Sequence, residues 1–207
     1  MMQYGLLGAS AQARETAEFA LPDVVVFCAV SSQYLDINRP DLVDIAIASR
    51  TLNMVPVVVA VGAPGLKRRL VRAWNGTRFH SVVSTNAWVS PTANLADGVT
   101  VAPFAVISSG ATVGAHVLLN IGSSISHDCE IGEFVTISPG VRIGGGCQIG
   151  EGVFIGIGAT IVHSVAVAAG IVVAAGAVVV DDLAVPGVYA GVPARLLRAE
   201  EEWLDAL

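Results

Sequence analysis

From Val89 onward an aliphatic side chain recurs at every sixth position. The series runs Val89, Leu95, Val101, Ile107, Val113, Leu119, Ile125, Ile131, Ile137, Ile143, Ile149, Ile155, Ile161, Val167, Val173, Val179 and Val185, seventeen positions without insertion or slip. Four residues after each, the side chain is small or modest until the end, as at Ala105, Ala111, Ser123, Cys129, Cys147 and Ala159. Three residues after, glycine stands at 98, 110, 122, 140, 146, 152, 158, 170 and 176, which suits a turn with dihedrals that other residues avoid. A period of six fits neither an α-helix nor a plain strand. It fits a short strand and a turn that aim one large and one small residue inward, the hexapeptide parallel β-helix among repeat architectures. Three such sides close a triangular coil, so residues eighteen apart stack on one another. The spacing leaves the hand of the winding open, and the general rule for parallel crossovers would make it right-handed.

The pattern before the repeat is different. "YGLLG", "DVVVFCAV" and "PVVVAVG" are apolar runs of strand length, while "AQARETAEFA" and "PGLKRRLVRAW" read as helices. Strands alternating with helices predict a small open α/β sheet of parallel strands. Ligands of such sheets sit beyond the carboxyl ends of the strands, which points at the turn Gly8-Ala9-Ser10 and at Gly62. After the repeat, Leu196, Leu197, Trp203, Leu204 and Leu207 could form one apolar helical face, and a solenoid needs a cap at its open end. The expected organisation is therefore an α/β unit over 1–83, a β-helix over 84–190 and a cap over 191–207.

Composition narrows the function classes. Only 14% of residues are charged, 54% are hydrophobic, and the net charge is −6. A nucleic-acid partner needs a basic patch, and the densest basic group, Lys67-Arg68-Arg69, reads as one solvated helix face. Three cysteines, Cys28, Cys129 and Cys147, form no disulfide framework, and that favours a reducing compartment. The first nineteen residues lack the basic start and long apolar run of a signal peptide; the expected location is the cytoplasm. Val153 to Val180 holds no Lys, Arg, Asp or Glu and by hydropathy alone would nominate a membrane span. Its glycines and β-branched residues keep the sixfold phase into polar stretches on both sides, so no span is expected.

One motif breaks the bland repeat: "ISHDCEIGEF", residues 125–134. His127 and Asp128 occupy positions that the inward pattern does not demand. Histidine is a natural general base near neutral pH, and a neighbouring carboxylate strengthens it and helps fix its tautomer. The stacking rule places Gly145 one coil above His127 and His163 one coil above that. A glycine there would let a substrate approach the backbone, whose N–H could stabilise a developing oxyanion. The alternative is a solvent-facing His-Asp pair on a solenoid side. His116 falls at a turn position and reads as a surface histidine. The pair His127 and His163 raises a metal question, but zinc needs at least three protein ligands. Cys129 and Cys147 are eighteen apart at the inward small position and should stack as buried thiols, which are poor nucleophiles.

Two stretches carry a family. "LNIGSSISHDCEIGEFVTISPGVRIGGGCQIGEGVFIGIGATI" and "VYAGVPARLL" resemble the left-handed β-helix acyltransferases of the NeuD/PglD type, which acetylate nucleotide-linked amino sugars or sialic acid with acetyl-CoA. The resemblance covers almost the whole chain and implies a Rossmann-like nucleotide-sugar-binding unit before a left-handed helix. It makes His127 the catalytic base, Asp128 its acidic neighbour and Gly145 the glycine whose N–H faces the thioester carbonyl. Thr136, Gly145, Ile157 and Ala175 fall where relatives contact coenzyme A, and Ser10, Ala11, Gln12 and Gly62 where they hold the nucleotide of the sugar. The turn departs from the family: Gly8-Ala9-Ser10-Ala11-Gln12-Ala13 stands for the usual G-A-S-G-H-G, and "CAVSSQ" lacks an acidic pair. The resemblance further implies direct acetyl transfer without a metal, and a homotrimer with active sites between subunits. The rival expectations are sugar or sialic acid O-acetylation, a zinc hydratase resembling the γ-class carbonic anhydrases, and a non-catalytic binding solenoid.

Overall fold

The computed structural model describes residues 1–200 and 202–206. Its first unit contains β1 (Gln3–Leu7), α1 (Ala11–Phe19), β2 (Val24–Val30), β3 (Leu42–Asp44), α2 (Ile45–Thr51), β4 (Val57–Val59) and α3 (Pro64–Ala73). The strands form one parallel sheet in the order β3-β2-β1-β4. β3 and α2 lie outside the sequence expectation. Both are too short to set up a period. α2 starts where the Asp44 carboxylate accepts from the N–H groups of Ala46 (2.8 Å) and Ile47 (3.4 Å), a side-chain cap for otherwise unpaired donors. The strand order reverses between β1 and β4, so their carboxyl ends frame the crevice where such sheets bind ligands. The chain passes closely there. Gly8 has φ +117, and a methyl on it would stand 2.7 Å from Val61 Cγ1.

The second unit is the three-sided β-helix that the sixfold pattern predicts. Each strand is two residues long and ends on the aliphatic residue of its hexad. Each pairs in parallel with the strands eighteen residues away, as in Leu118↔Thr136, Ser124↔Arg142 and Glu130↔Gln148. The first face runs through Val101, Leu119, Ile137 and Ile155, the second through Ile107, Ile125, Ile143 and Ile161, and the third through Val113, Ile131, Ile149 and Val167. These side chains and the small ones four residues later fill the prism and are buried. Fully burying one such aliphatic side chain stabilises by about 1.5–3 kcal/mol. The nine turn glycines all have φ between +63 and +73. Phe104, His116, Asp128, Phe134 and Ser164 occupy the same turn slot at φ between +57 and +61, at a cost of about 1 kcal/mol each. Asp128 is thus held in a conformation that the turn imposes.

The ends of the repeat differ from the expectation. It begins one hexad early, with the strand Val82–Val83, and its last strand is Val178–Val179; Val185 is half exposed and lies outside any strand. The cap is not a helix. Gly187–Ala190 and Arg195–Ala199 pair antiparallel at the top of the first face, leaving Leu196 and Leu197 exposed. The open end of a parallel sheet presents a row of unpaired backbone groups, and pairing them outweighs the helical pattern of the segment. The chain then descends along the edge between the third and first faces. The Trp203 indole lies against Gly170 and under the Arg68 guanidinium, 4.0 Å from its centroid. The Leu204 carbonyl accepts from Gly65 N–H at 2.8 Å, and Asp205 pairs with Arg69. Leu207 lies outside the described residues. No described helix is long and apolar enough to cross a membrane.

The basic run of α3 is not a solvated face. Lys67 is fully buried, and its Nζ donates to the backbone carbonyls of His116 (3.1 Å) and Val135 (2.9 Å). Burial pushes its pKa well below the ordinary lysine range. It is a peg that fastens the α/β unit to the β-helix. His116 is likewise buried rather than at the surface. Its ring packs edge-on to Phe79 and stacks on Phe134, with centroids at 4.5 and 5.1 Å. Burial, and the charge of Lys67 next to it, lower its pKa to about 4.

Candidate active site

His127 and Asp128 sit on the edge between the second and third faces, in the turn after the strand Ser124–Ile125. The turn aims both side chains outward, and they are 66% and 74% exposed. His127 Nδ1 lies 2.9 Å from Asp128 Oδ2. A carboxylate can only accept, so in the neutral imidazole the proton sits on Nδ1 and the lone pair is left on Nε2. The αL conformation of Asp128 tips its carboxylate toward Gly110 in the coil below.

The imidazole lies over Gly145 as the stacking rule predicts. A methyl on Gly145 would stand 2.6 Å from both Cε1 and Nε2 of His127. Unlike its neighbour Gly146, at φ +69, Gly145 has no positive φ, so its need for glycine comes from the ring and not from the backbone. Its carbonyl accepts from Ser164 N–H at 2.8 Å, while its own N–H finds no acceptor among the described residues. A base with a free lone pair and an unspent backbone donor therefore sit side by side, open to solvent. That is the arrangement that acyl transfer from a thioester requires.

The other predicted residues fall elsewhere. Ile157 and Ala175 stack one above the other on a different edge, between the first and second faces. They are separated from His127 by the width of the second face, roughly 15 Å of strand and turn. Ile157 is 62% exposed. Thr136 is buried on the first face, where its hydroxyl donates to the Gly62 carbonyl at 2.6 Å. Two expected ligand-binding positions, Thr136 and Gly62, are thus joined at the contact between the two units.

Ser10, Ala11, Gln12 and Gly62 gather at the carboxyl ends of β1 and β4. Ser10 begins α1 without a side-chain cap, and the N–H groups of Ala11 and Gln12 find no acceptor among the described residues. Gln12 Oε1 accepts from Asn120 Nδ2 at 3.3 Å, and Gln12 Nε2 is buried without a partner. The crevice therefore opens onto the first–second edge of the β-helix. Sequence reasoning missed Asn120, because nothing in the hexad phase marks it.

The remaining candidates carry no chemistry of their own. Cys129 and Cys147 are buried as expected, and the neighbouring Cys147 thiol together with burial pushes the Cys129 thiol well above the ordinary range. His163 is exposed two coils above His127, about 10 Å away at the usual strand spacing. Among the described residues no three His, Cys, Asp or Glu side chains are placed to hold a metal.

The family model described as "Bacterial transferase hexapeptide (six repeats)" matches residues 110–145, which include His127, Asp128 and Gly145. No match is found among curated protein sequences. The chain is similar to the acetyltransferase domain of PglB from Neisseria gonorrhoeae FA1090, with 27% identity, a TM-score of 0.86, and coverage of 95% of this chain and 100% of that one. The same domain in complex with acetyl coenzyme A gives 28% identity and a TM-score of 0.85 over 94% and 98% of the two chains. A mutant of perosamine N-acetyltransferase from Caulobacter crescentus, in complex with CoA and GDP-perosamine, gives 26% identity and a TM-score of 0.85 over 95% and 96%. The chain thus carries the hexapeptide repeat of bacterial transferases. Its fold, a small α/β unit followed by a left-handed parallel β-helix, is that of sugar N-acetyltransferases of the hexapeptide-repeat class.

Proposed function

We propose that this chain transfers an acetyl group from acetyl-CoA to the amino group of a nucleotide-linked amino sugar. The observation that carries the reading is the imidazole of His127, held by Asp128 at 2.9 Å and seated on the N–H-bearing glycine shelf of Gly145. The relatives add that one similar domain binds acetyl coenzyme A and that another similar enzyme binds CoA with GDP-perosamine.

In the proposed step the sugar nitrogen attacks the thioester carbonyl carbon and forms the C–N bond. His127 Nε2 takes the proton from that nitrogen, and Asp128 steadies the imidazolium through Nδ1–H. The Gly145 N–H donates to the oxygen as it becomes an oxyanion. The C–S bond then breaks, and the proton passes from His127 to the departing thiolate. The products are the acetamido sugar and free coenzyme A. The acceptor's nucleotide occupies the crevice at Ser10, Ala11, Gln12 and Gly62, and the coenzyme runs past Ile157 and Ala175.

One protomer presents these groups on two separate edges of the prism. A second copy, laid edge to edge, would bring the first–second edge of one protomer beside His127 of the other. That separation supports reading the working unit as an assembly, a homotrimer with active sites between subunits in this proposal.

His127→Ala tests the assignment. The variant should keep its assembly and its acetyl-CoA affinity by calorimetry and lose about 10²–10⁴ in kcat. Turnover comparable to the parent would remove His127 from the mechanism.

A further inference from the structure

Building on the acetyl-transfer reading, we propose that Arg142 is the phosphate-binding residue of the acceptor site and clamps the diphosphate of the nucleotide sugar. Such a substrate brings two negative charges into the crevice, and none of Ser10, Ala11, Gln12 and Gly62 carries a positive one. The uncapped start of α1, with the unengaged N–H groups of Ala11 and Gln12, supplies donors and the positive end of a helix dipole. It supplies no full charge. A mobile cation at the mouth of the crevice would complete the site.

Arg142 meets this description on four independent counts. It is the sole Lys or Arg from residue 84 to residue 190, so the β-helix wall has no other permanent cation to offer over that span. It projects from the second face, is exposed, and has no carboxylate partner among the described residues. Its guanidinium is turned toward the first–second edge, where Nη1 donates to the carbonyls of Gly122 and, at 3.2 Å, Val141. Gly122 is two residues from Asn120, whose side chain touches Gln12 at the start of α1. The guanidinium is therefore held on the edge onto which the crevice opens, with most of its five donors unspent, and a planar fork of donors matches diphosphate oxygens in two-point contact. A charge held only by backbone carbonyls is also free to swing to a ligand without breaking an ion pair.

The test is steady-state kinetics on Arg142→Gln and Arg142→Lys in the full chain, with the melting temperature as a check on folding. Arg142→Gln should raise KM for the nucleotide amino sugar by about 10- to 100-fold. It should leave KM for acetyl-CoA within about twofold and make the acceptor KM insensitive to added salt. Arg142→Lys should recover part of the loss. The free amino sugar, which lacks the diphosphate, should be used equally by parent and variant. A rise in KM for acetyl-CoA instead would assign the guanidinium to the coenzyme's phosphates and overturn the proposal. Unchanged values for both substrates would reduce Arg142 to a brace for Gly122, with the same effect. If the parent acetylates no nucleotide amino sugar, the acetyl-transfer reading fails by itself. Calorimetry with GDP and with UDP then decides the clamp: binding to the parent that is lost in Arg142→Gln supports it, and no binding to the parent sinks it.

Discussion

Gly145→Ala separates chemistry from folding. Gly145 has an ordinary φ, so alanine there is compatible with the backbone. The added methyl would sit 2.6 Å from His127 Cε1 and Nε2, whereas carbon contacts relax at about 3.5–4.0 Å. The ring must move by roughly 1 Å, and it cannot do so and still hold both the 2.9 Å bond to Asp128 and its place beside the Gly145 N–H. A displacement of about 1 Å in a catalytic group can cost about 10²-fold, and loss of the general base costs about 10²–10⁴. The variant should therefore lose at least about 100-fold in kcat. Its melting temperature should stay within a few degrees, because the ring is exposed and free to turn aside. Gly140→Ala is the matched contrast. At φ +71, with its nearest neighbour 4.0 Å away, it adds backbone strain of about 1 kcal/mol without a steric wedge, so it should lower the melting temperature and spare kcat. Thiol release from acetyl-CoA and a thermal melt of both variants decide the matter. Full turnover by Gly145→Ala would refute the placement of the histidine over the shelf.

Two further outcomes concern the contact between the units. His116 titrates at about 4 in the folded chain against about 6.5 unfolded, so the unfolded chain binds the extra proton between these values. Stability should therefore fall on acidification from pH 6.5 to 4, by up to about 3 kcal/mol. Urea melts across that window should show the slope flattened in His116→Asn, which tolerates the φ of +59 at this turn. Lys67→Ala empties a buried site and strands the His116 carbonyl, which should cost about 2–4 kcal/mol in the same assay. Since burial depresses the Lys67 pKa, the parent should gain stability as pH rises toward the alkaline range, and Lys67→Met should remove that gain.

Most of the β-helix was legible in the sequence because its fold is one-dimensional. A hexad that fills the prism at Ile125 must do so again at Ile131 and Ile143, so the phase alone identifies inward, turn and outward positions. The same arithmetic puts Gly145 against His127. Short elements without a period, such as β3 and α2, were not legible. The cap was misread, since its apolar spacing suits a helix while the exposed edge of the last coil demands a strand.

The sequence by itself determined which residues stack on which, and hence that the His127-Asp128 turn lies against Gly145, because contact there is a fixed offset of eighteen. Only the tertiary structure decided what happens between the units, where contacts follow from docking and not from an offset. Lys67 changes there from a surface charge into a buried peg, and His116 from a surface imidazole into one squeezed between Phe79 and Phe134. Thr136 spends its hydroxyl on Gly62, and Gln12 meets Asn120 across 108 residues of chain. A local pattern records only which face a side chain takes, and which partner waits on that face is set by the packing of the two units against each other.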